Sequence, residues 1–303
     1  MVNSSPDERA MELYRQAYTL FIQKRFAEAL PYLDQCLELD PHLGVAWGLR
    51  GYIDALVGRD PQTIVRDLKM AQALLPEPVD DATRATLRVM RMYKSAALYL
   101  LKRYQEAVDG FAEVRATGVL DARFAILEGD GYRQLGQQEQ ALAACQRAVE
   151  APHRDQATTD QWIWLSQTLL NWGDAKNAIL AANEALAQQP QRVDGWLLKA
   201  RAQLELGQYL QCLKTIDEAL SLDPQRAVAW KIKGAAAGFL QQFEVARVAY
   251  HQAVLLTRTD PKARAGAVRG EVGALMGLGR PVDALRVATQ EAQRRADEQE
   301  QSN

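Results

Sequence analysis

Residues 24–41 read KRFAEALPYLDQCLELDP, a stretch that decides the fold because its pattern recurs along the chain. It contains two small residues seven positions apart, Ala29 and Cys36, and it closes on Pro41. Residues seven apart share one face of an α-helix, and small side chains there let a neighbouring helix approach closely. Proline cannot continue a helix, so Pro41 marks a turn. The stretch therefore predicts one half of a tightly packed helical hairpin.

The small positions return at steps of 34 to 43 residues through the whole chain. The first of them is occupied in turn by Ala29, Ile64, Ala107, Ala141, Ala178, Cys212, Ala246 and Ala284. Four of these residues have a tryptophan 16 or 17 positions before them, at Trp47, Trp162, Trp196 and Trp230. A repeat of this length is typical of stacked helical hairpins, each of which has an apolar face that it cannot bury alone.

This repeat resembles the tetratricopeptide repeat, and about eight repeats account for nearly the whole chain. The resemblance is strongest in repeats 1 and 4–7. Repeat 8 keeps only Gly279, Pro281 and Ala284 of the pattern, and the polar run QRRADEQEQSN that follows predicts a capping helix. The resemblance implies an all-α fold, namely a right-handed superhelical solenoid of antiparallel helix pairs.

The longest step, 43 residues, contains the insertion PEPVDDATRAT at 76–86. One interpretation is a longer loop with an extended helix. The other is a hinge that divides residues 1–77, with repeats 1–2, from residues 78–303, with repeats 3–8 and the capping helix. Without such a hinge we expect one continuous solenoid. The first helix is predicted to begin near Pro6, with Ser5 as its N-cap.

Composition and charge limit the classes of protein to which this chain can belong. The chain has 303 residues, is 48% hydrophobic and carries a net charge of −2. It can therefore bury a sizeable core, but it has no general attraction to nucleic acid or acidic membranes. We find no secretory signal in the opening residues, and the most apolar stretch is too short to span a membrane. Three cysteines without a C-x-x-C pair agree with a cytoplasmic location.

The inventory of reactive residues predicts a non-catalytic protein. The three histidines, His42, His153 and His251, have no metal-ligand spacing. The stretch GALMGLGR at 273–280 resembles a phosphate-binding loop, but it lacks the closing Lys-Ser/Thr pair and a preceding strand. The cysteines occupy packing positions of second helices. We therefore predict no catalytic residue, no metal site and no cofactor.

Candidate binding residues follow from the resemblance alone. In tetratricopeptide repeats the first helices line a concave groove, and positions 2, 5, 9, 12 and 13 of each repeat point into it. In the first three repeats these positions are mainly aromatic or apolar and include Tyr14, Tyr18, Phe21, Tyr52, Met92 and Tyr99. In repeats 4–7 they are mainly polar and include Arg123, Asp130, Arg133, Gln167, Asn171, Arg201, Glu205 and Lys231. The alternative is that the aromatic residues are buried against one another.

The leading hypothesis is a scaffold or adaptor that binds a helix or an extended peptide of a partner protein in this groove. A second hypothesis is a regulatory or assembly subunit of a larger complex, such as secretion, assembly or envelope-synthesis machinery. Binding of RNA by helical repeats is less favoured, because the chain is nearly neutral. Repeats that grip the carboxyl terminus of cytosolic chaperones need Lys at position 5 with Asn at position 9, and no repeat has this pair.

Overall fold

The structure, a computed structural model, describes residues 6–75, 81–118, 120–151 and 154–302. These residues form sixteen α-helices, a short 3₁₀ helix at Arg154–Gln156, and no strand. The helices of the first half are α1 Pro6–Ile22, α2 Phe26–Leu39, α3 Gly44–Val57, α4 Pro61–Leu74, α5 Asp81–Leu100, α6 Tyr104–Thr117, α7 Ala122–Gln134 and α8 Gln138–Glu150. Those of the second half are α9 Thr159–Asn171, α10 Ala175–Gln188, α11 Val193–Glu205, α12 Tyr209–Leu222, α13 Ala227–Phe239, α14 Phe243–Leu256, α15 Pro261–Gly277 and α16 Pro281–Ser302. The predicted all-α fold is confirmed.

The helices pair in order into hairpins, and the hairpins belong to two compact units, Met1–Gln156 and Ala157–Asn303. Each unit is a stack of four helical hairpins. Residues 76–80 of the expected hinge lie outside the described residues, as does the expected N-cap Ser5. Residues 81–86 begin α5, which has 20 residues against 14 in α6, so part of the insertion lengthens a helix. The hinge itself stays a prediction.

The small positions form the interior of the hairpins, as the sequence predicts. Ala29, Ala71, Ala141 and Ala219 are among those with no exposed surface. The three cysteines are also buried and unpaired. Burial raises the pKa of the Cys36 and Cys212 thiols to about 11 and that of Cys145 to about 12. They are therefore packing residues and not reactive thiolates.

Loops between hairpins are fixed by tryptophan and proline together. The indole Nε1 of a first-helix tryptophan donates a hydrogen bond of 2.8 Å to the carbonyl oxygen of the proline six residues earlier, in the pairs Trp47–Pro41, Trp196–Pro190 and Trp230–Pro224. A cation three residues after each tryptophan lies over its ring. These contacts explain why the two residues recur at a fixed spacing, since each indole finds a partner when it is half-buried.

Buried carboxylates hold neighbouring helices together, a feature that the sequence pattern did not reveal. Glu128 of α7 is fully buried and accepts hydrogen bonds from Arg115 of α6 and Arg147 of α8. Asp67 of α4 accepts a hydrogen bond of 2.7 Å from Nε of Arg50 on α3. A buried carboxylate is stable only when such partners compensate its charge. These ion pairs therefore fix the register between neighbouring helices.

The turn inside each hairpin passes through one residue in the left-handed region. Each of the eight described hairpins has such a residue, with φ between 58° and 79°, at Lys24, Gly58, Lys102, Gly136, Gly173, Gly207, Gln241 and Gly279. A left-handed residue ends the first helix and reverses the chain, and glycine adopts that conformation without a steric penalty. Five hairpins use glycine here, and three tolerate a side chain.

Two glycines with open space around them test this turn geometry. Gly173 lies in a turn with φ of 79°, whereas Gly273 lies inside α15, and a β-carbon at either would meet nothing within 4 Å. We expect Gly173→Ala to lower the free energy of unfolding by about 1 kcal/mol, because it forces an L-residue into the left-handed region. Gly273→Ala should raise it by roughly 0.5–1 kcal/mol, because alanine loses less entropy in a helix. Urea unfolding monitored by circular dichroism measures both. Changes of the same sign would contradict the turn assignment.

Candidate functional site

An unbroken row of aromatic rings crosses the first helices of the first unit. It comprises Tyr14, Tyr18 and Phe21 of α1, Tyr52 of α3, Tyr93 of α5 and Phe124 of α7, and we call it the aromatic row. Consecutive ring centroids along it are 6.2, 6.1, 5.7, 4.9 and 5.2 Å apart. The last two contacts are edge-to-face, an arrangement that aromatic quadrupoles favour.

A pocket of about 490 Å³ opens beside the aromatic row, between α1, α3 and α5. Gly48 lies at its base, where a β-carbon would collide with the thioether of Met90. Within the part of the chain that the structure describes, its lining carries hydroxyl groups but no charged side chain, and comprises Tyr14, Tyr18, Phe21, Val45, Gly48, Leu49, Tyr52, Leu75, Thr86, Leu87, Val89 and Met90. The pocket therefore suits a large apolar side chain.

Phe124 at the end of the row is buried, whereas the surface next to the α1 end of the row is apolar and partly exposed. Tyr18 is 46% exposed, and Ile22 and Leu100, at the last positions of α1 and α5, are each 64% exposed. Leu56, near the end of α3, is exposed as well. Single exposed apolar residues are common, but a contiguous set of them marks an interaction surface.

Arg123 occupies the α7 end of the aromatic row. Its Nη2 donates a hydrogen bond of 2.9 Å to the Tyr93 hydroxyl, and its guanidinium carbon lies 4.4 Å from the centroid of the Phe124 ring. In the part of the chain that the structure describes, Arg123 has no carboxylate partner. Burial raises the pKa of Tyr52 to about 12, and the electrostatic interaction and hydrogen bond with the neighbouring Tyr93 hydroxyl add to the shift.

Three other candidates bind one another. The Tyr99 hydroxyl donates a short hydrogen bond to the Asp130 carboxylate, and Nε of Arg133 donates one of 2.7 Å to the same group. Burial and then the contact with Asp130 raise the pKa of the Tyr99 hydroxyl. Asp130 is itself buried. This network joins α5 to α7 and leaves little of the Asp130 charge available to a partner.

Met92 does not lie on the surface where the repeat position placed it. It is 5% exposed and belongs to the core, whereas its neighbour Tyr93 joins the aromatic row. Successive residues on a helix point about 100° apart, so an assignment one residue away exchanges a surface side chain for a core one. The expectation for Met92 is therefore replaced by Tyr93.

The remaining candidates belong to the second unit and pair mainly along their own helices. Gln167 donates a hydrogen bond of 2.9 Å to Asn171 on α9, and Arg201 forms an ion pair of 3.1 Å with Glu205 on α11. Lys231 lies on α13 and has no ion-pair partner among the residues described. Pairs four residues apart on a helix surface are weak. This face is polar and shows no pocket comparable with the one in the first unit among the pockets described.

The described residues contain neither a cluster suited to metal binding nor a helix suited to membrane insertion. Within the described ranges, no three His, Cys, Asp or Glu side chains lie close enough together to hold a metal ion. His251 instead contacts Glu271, with Nδ1 and Oε1 3.0 Å apart. None of the helices in those ranges combines the length and the hydropathy that a membrane span requires.

Comparison with known families agrees with the hairpin geometry. Family models described as tetratricopeptide repeat match residues 10–43, which hold the α1–α2 hairpin, and residues 169–236. Each of the two units therefore contains tetratricopeptide repeats. A search of curated proteins gives no significant match.

Solved structures of tetratricopeptide-repeat proteins share the fold. MamA is 14% identical with a TM-score of 0.51, and the match covers 59% of this chain and 94% of that one. The C-terminal part of a TPR repeat-containing protein from Cytophaga hutchinsonii is 15% identical with a TM-score of 0.55, and the match covers 84% and 98% of the two chains. At these identities the likeness concerns the fold alone.

The tetratricopeptide numbering explains why the row was only partly predicted. With Ala17, Gly51, Ser95 and Gly129 each at position 8, the row takes Phe21 from position 12, Tyr52 from 9, Tyr93 from 6 and Phe124 from 3. The row thus shifts by three residues at each helix and crosses the repeats diagonally. Comparing the same position in every repeat found Phe21 and Tyr52 but missed Tyr93 and Phe124. A search for aromatic residues shifted by three per repeat would have found them.

Packing of the row predicts how Tyr52 titrates. The difference between alkaline absorbance titrations of the wild type and Tyr52→Phe isolates one tyrosine. We expect its pKa near 12 instead of the ordinary 10, because burial disfavours the phenolate. Since the folded-state pKa is raised, the stability contributed by the neutral phenol is fully present below pH 10 and is lost as the pH rises to 12. A difference signal centred near pH 10 would place this hydroxyl in water and contradict the packed row.

Proposed function

We propose that this tetratricopeptide-repeat protein is a non-catalytic scaffold that binds a helix or an extended peptide of a partner protein across the aromatic row. The observation that carries the proposal is the uncharged pocket beside that row, together with the exposed Tyr18, Ile22 and Leu100. Aromatic side chains next to a pocket are the usual anchors of protein interfaces. The exposed parts of these side chains contribute no packing within the hairpins.

Because this surface is built from helices, it must recognise a partner through side chains and not through backbone hydrogen bonds. Their backbone groups are already paired within each helix, so a partner cannot add a strand to an exposed edge. Affinity must come from side chains that enter the pocket and cover the row. An amphipathic helix or an extended peptide supplies apolar side chains at regular spacing and fits this requirement.

A second candidate function is a subunit that assembles into a larger complex. The second unit favours it, because large apolar side chains of α12, α13 and α16 are exposed at Leu210, Phe239, Val282 and Leu285. Phe239 stacks on Tyr209 with the ring centroids 4.7 Å apart. Such side chains would be covered in an assembly. Sizing of the purified protein with its partner would distinguish a single bound peptide from a large complex.

The scaffold proposal is tested by selecting binders from a displayed library of random peptides, each about 16 residues or four helical turns long. Selected peptides are then titrated against the wild type and against the double variant Tyr18→Ala/Ile22→Ala. We expect the double variant to lose about 2–4 kcal/mol of binding free energy, because it removes two anchors. Its melting temperature should change little, since Ile22 is mostly exposed and Tyr18 is nearly half exposed.

Leu180→Ala is the matched control. Leu180 is 48% exposed on α10, a second helix of the other unit, so its replacement removes a similar apolar group away from the row. We expect it to leave peptide affinity unchanged. Equal losses in the control and the double variant, or failure to select any peptide, would refute the proposal.

A further inference from the structure

We infer that the partner segment pairs an apolar side chain in the pocket with an acidic side chain bound to Arg123. This inference rests on the proposed function and names the chemistry of its partner. It depends on three observations: the neutrality of the pocket, the unpaired charge of Arg123 and the short path between the two.

The pocket admits apolar groups and disfavours charged ones. None of the described residues that line it carries a charge, and their polar groups are the hydroxyls of tyrosine and threonine. A charged side chain that entered it would lose water without gaining an opposite charge, which costs several kcal/mol. The apolar part of the partner segment is therefore directed to this pocket.

Arg123 supplies a positive charge that no described carboxylate neutralises. A guanidinium has five N–H donors, and one of those of Arg123 is satisfied by the Tyr93 hydroxyl. Its Nε is buried and has no hydrogen-bond partner. The nearby Arg133 differs, because it forms an ion pair of 2.6 Å with Asp130. An incoming carboxylate would thus find its complement at Arg123 and not at Arg133.

The side chain of Arg123 is held in position for this role. Its guanidinium rests on the Phe124 ring and lies 5.3 Å from the centroid of the Tyr93 ring. Stacking fixes the plane of the guanidinium, so less side-chain entropy is lost when a carboxylate binds. Two carboxylates of the same helix already have partners, since Asp130 binds Tyr99 and Arg133, and Glu128 binds Arg115 and Arg147.

The distance from the pocket to Arg123 limits where the acidic residue stands in the partner. Tyr52 lines the pocket, and its ring centroid is 4.9 Å from that of Tyr93, which in turn neighbours Arg123. Side chains one helical turn apart are about 5–6 Å apart at their β-carbons. We therefore expect the acidic residue within about two helical turns of the apolar anchor.

The test uses the displayed peptide library as its probe, on the wild-type chain and on Arg123→Gln. Peptides selected by the wild type should contain a large apolar residue and a Glu or Asp within about two turns of it. Peptides selected by Arg123→Gln should keep the apolar residue and lose the acidic preference. Selection of apolar peptides with no acidic preference by the wild type would overturn this inference and leave the scaffold proposal standing, whereas selection of no peptide would refute both.

A double-mutant cycle then assigns the acidic preference to one residue. Changing the acidic residue of a selected peptide to its amide should weaken binding to the wild type about tenfold and should leave binding to Arg123→Gln nearly unchanged. The same cycle with Arg133→Gln is the control, and its coupling should be close to zero. Equal coupling at both arginines would mean a diffuse effect of charge and would overturn the inference.

Arg123→Lys is a conservative variant that distinguishes loss of the carboxylate contact from loss of structure. It keeps the charge but not the planar fork, so it should retain the preference for acidic peptides at reduced affinity. Circular dichroism of each variant establishes that it is folded. If Arg123→Lys selects no acidic peptides although it is folded, the pairing with a carboxylate is wrong.

Discussion

Close approach of helices at small side chains is the constraint on which the rest of the structure depends. Gly129 shows it directly, because a β-carbon there would lie 2.8 Å from the sulfur of Cys145. In the same way, a β-carbon at Gly234 would lie 2.9 Å from the Tyr250 ring. Protein interiors are packed nearly as densely as crystals, so these contacts fix the separation of the two helices of a hairpin within narrow limits. Each hairpin then presents its first helix in the same way as the hairpin before it.

This uniform packing makes the difference between the two first-helix surfaces informative. Both units use the same small residues inside their hairpins, and both bury one face of each first helix. The opposite face carries the polar Gln167 and Arg201 on α9 and α11 of the second unit, although Phe239 of α13 is exposed there, whereas in the first unit it carries Tyr18 and Ile22 beside a pocket. A hairpin is stable with either a polar or an apolar residue on the exposed face of its first helix. Exposed apolar side chains lower solubility, and packing within the hairpins does not require them. Binding to a partner would explain why the first unit has them.

The sequence predicted what repeats locally and missed what depends on neighbouring repeats. The small residues, the tryptophans and the closing prolines recur at fixed offsets, and the structure gives each its packing role. Tyr93 and Phe124 continue a row that steps from Phe21 and Tyr52 by three positions at each hairpin, so no single repeat reveals it. The pairing of Glu128 with Arg115 and Arg147 likewise joins separate helices. The prediction for Met92 was wrong by one residue. On a helix, a shift of one residue exchanges a core side chain for a surface one, although it is small beside a repeat of about 34 residues.

Charged residues of the core and the proposed binding residue Arg123 differ in whether the fold neutralises their charge. Carboxylates buried in the core are compensated within the fold, as Asp67 is by Arg50. Arg123 has instead a neutral hydroxyl and the faces of two aromatic rings. Aromatic faces attract a cation but neutralise none of its charge, so the electrostatic potential of the guanidinium persists at the end of an uncharged, apolar surface. An apolar surface alone would attract any hydrophobic segment, and one positive charge held rigidly at its end is the simplest means of discrimination, because a segment with a basic residue there meets repulsion.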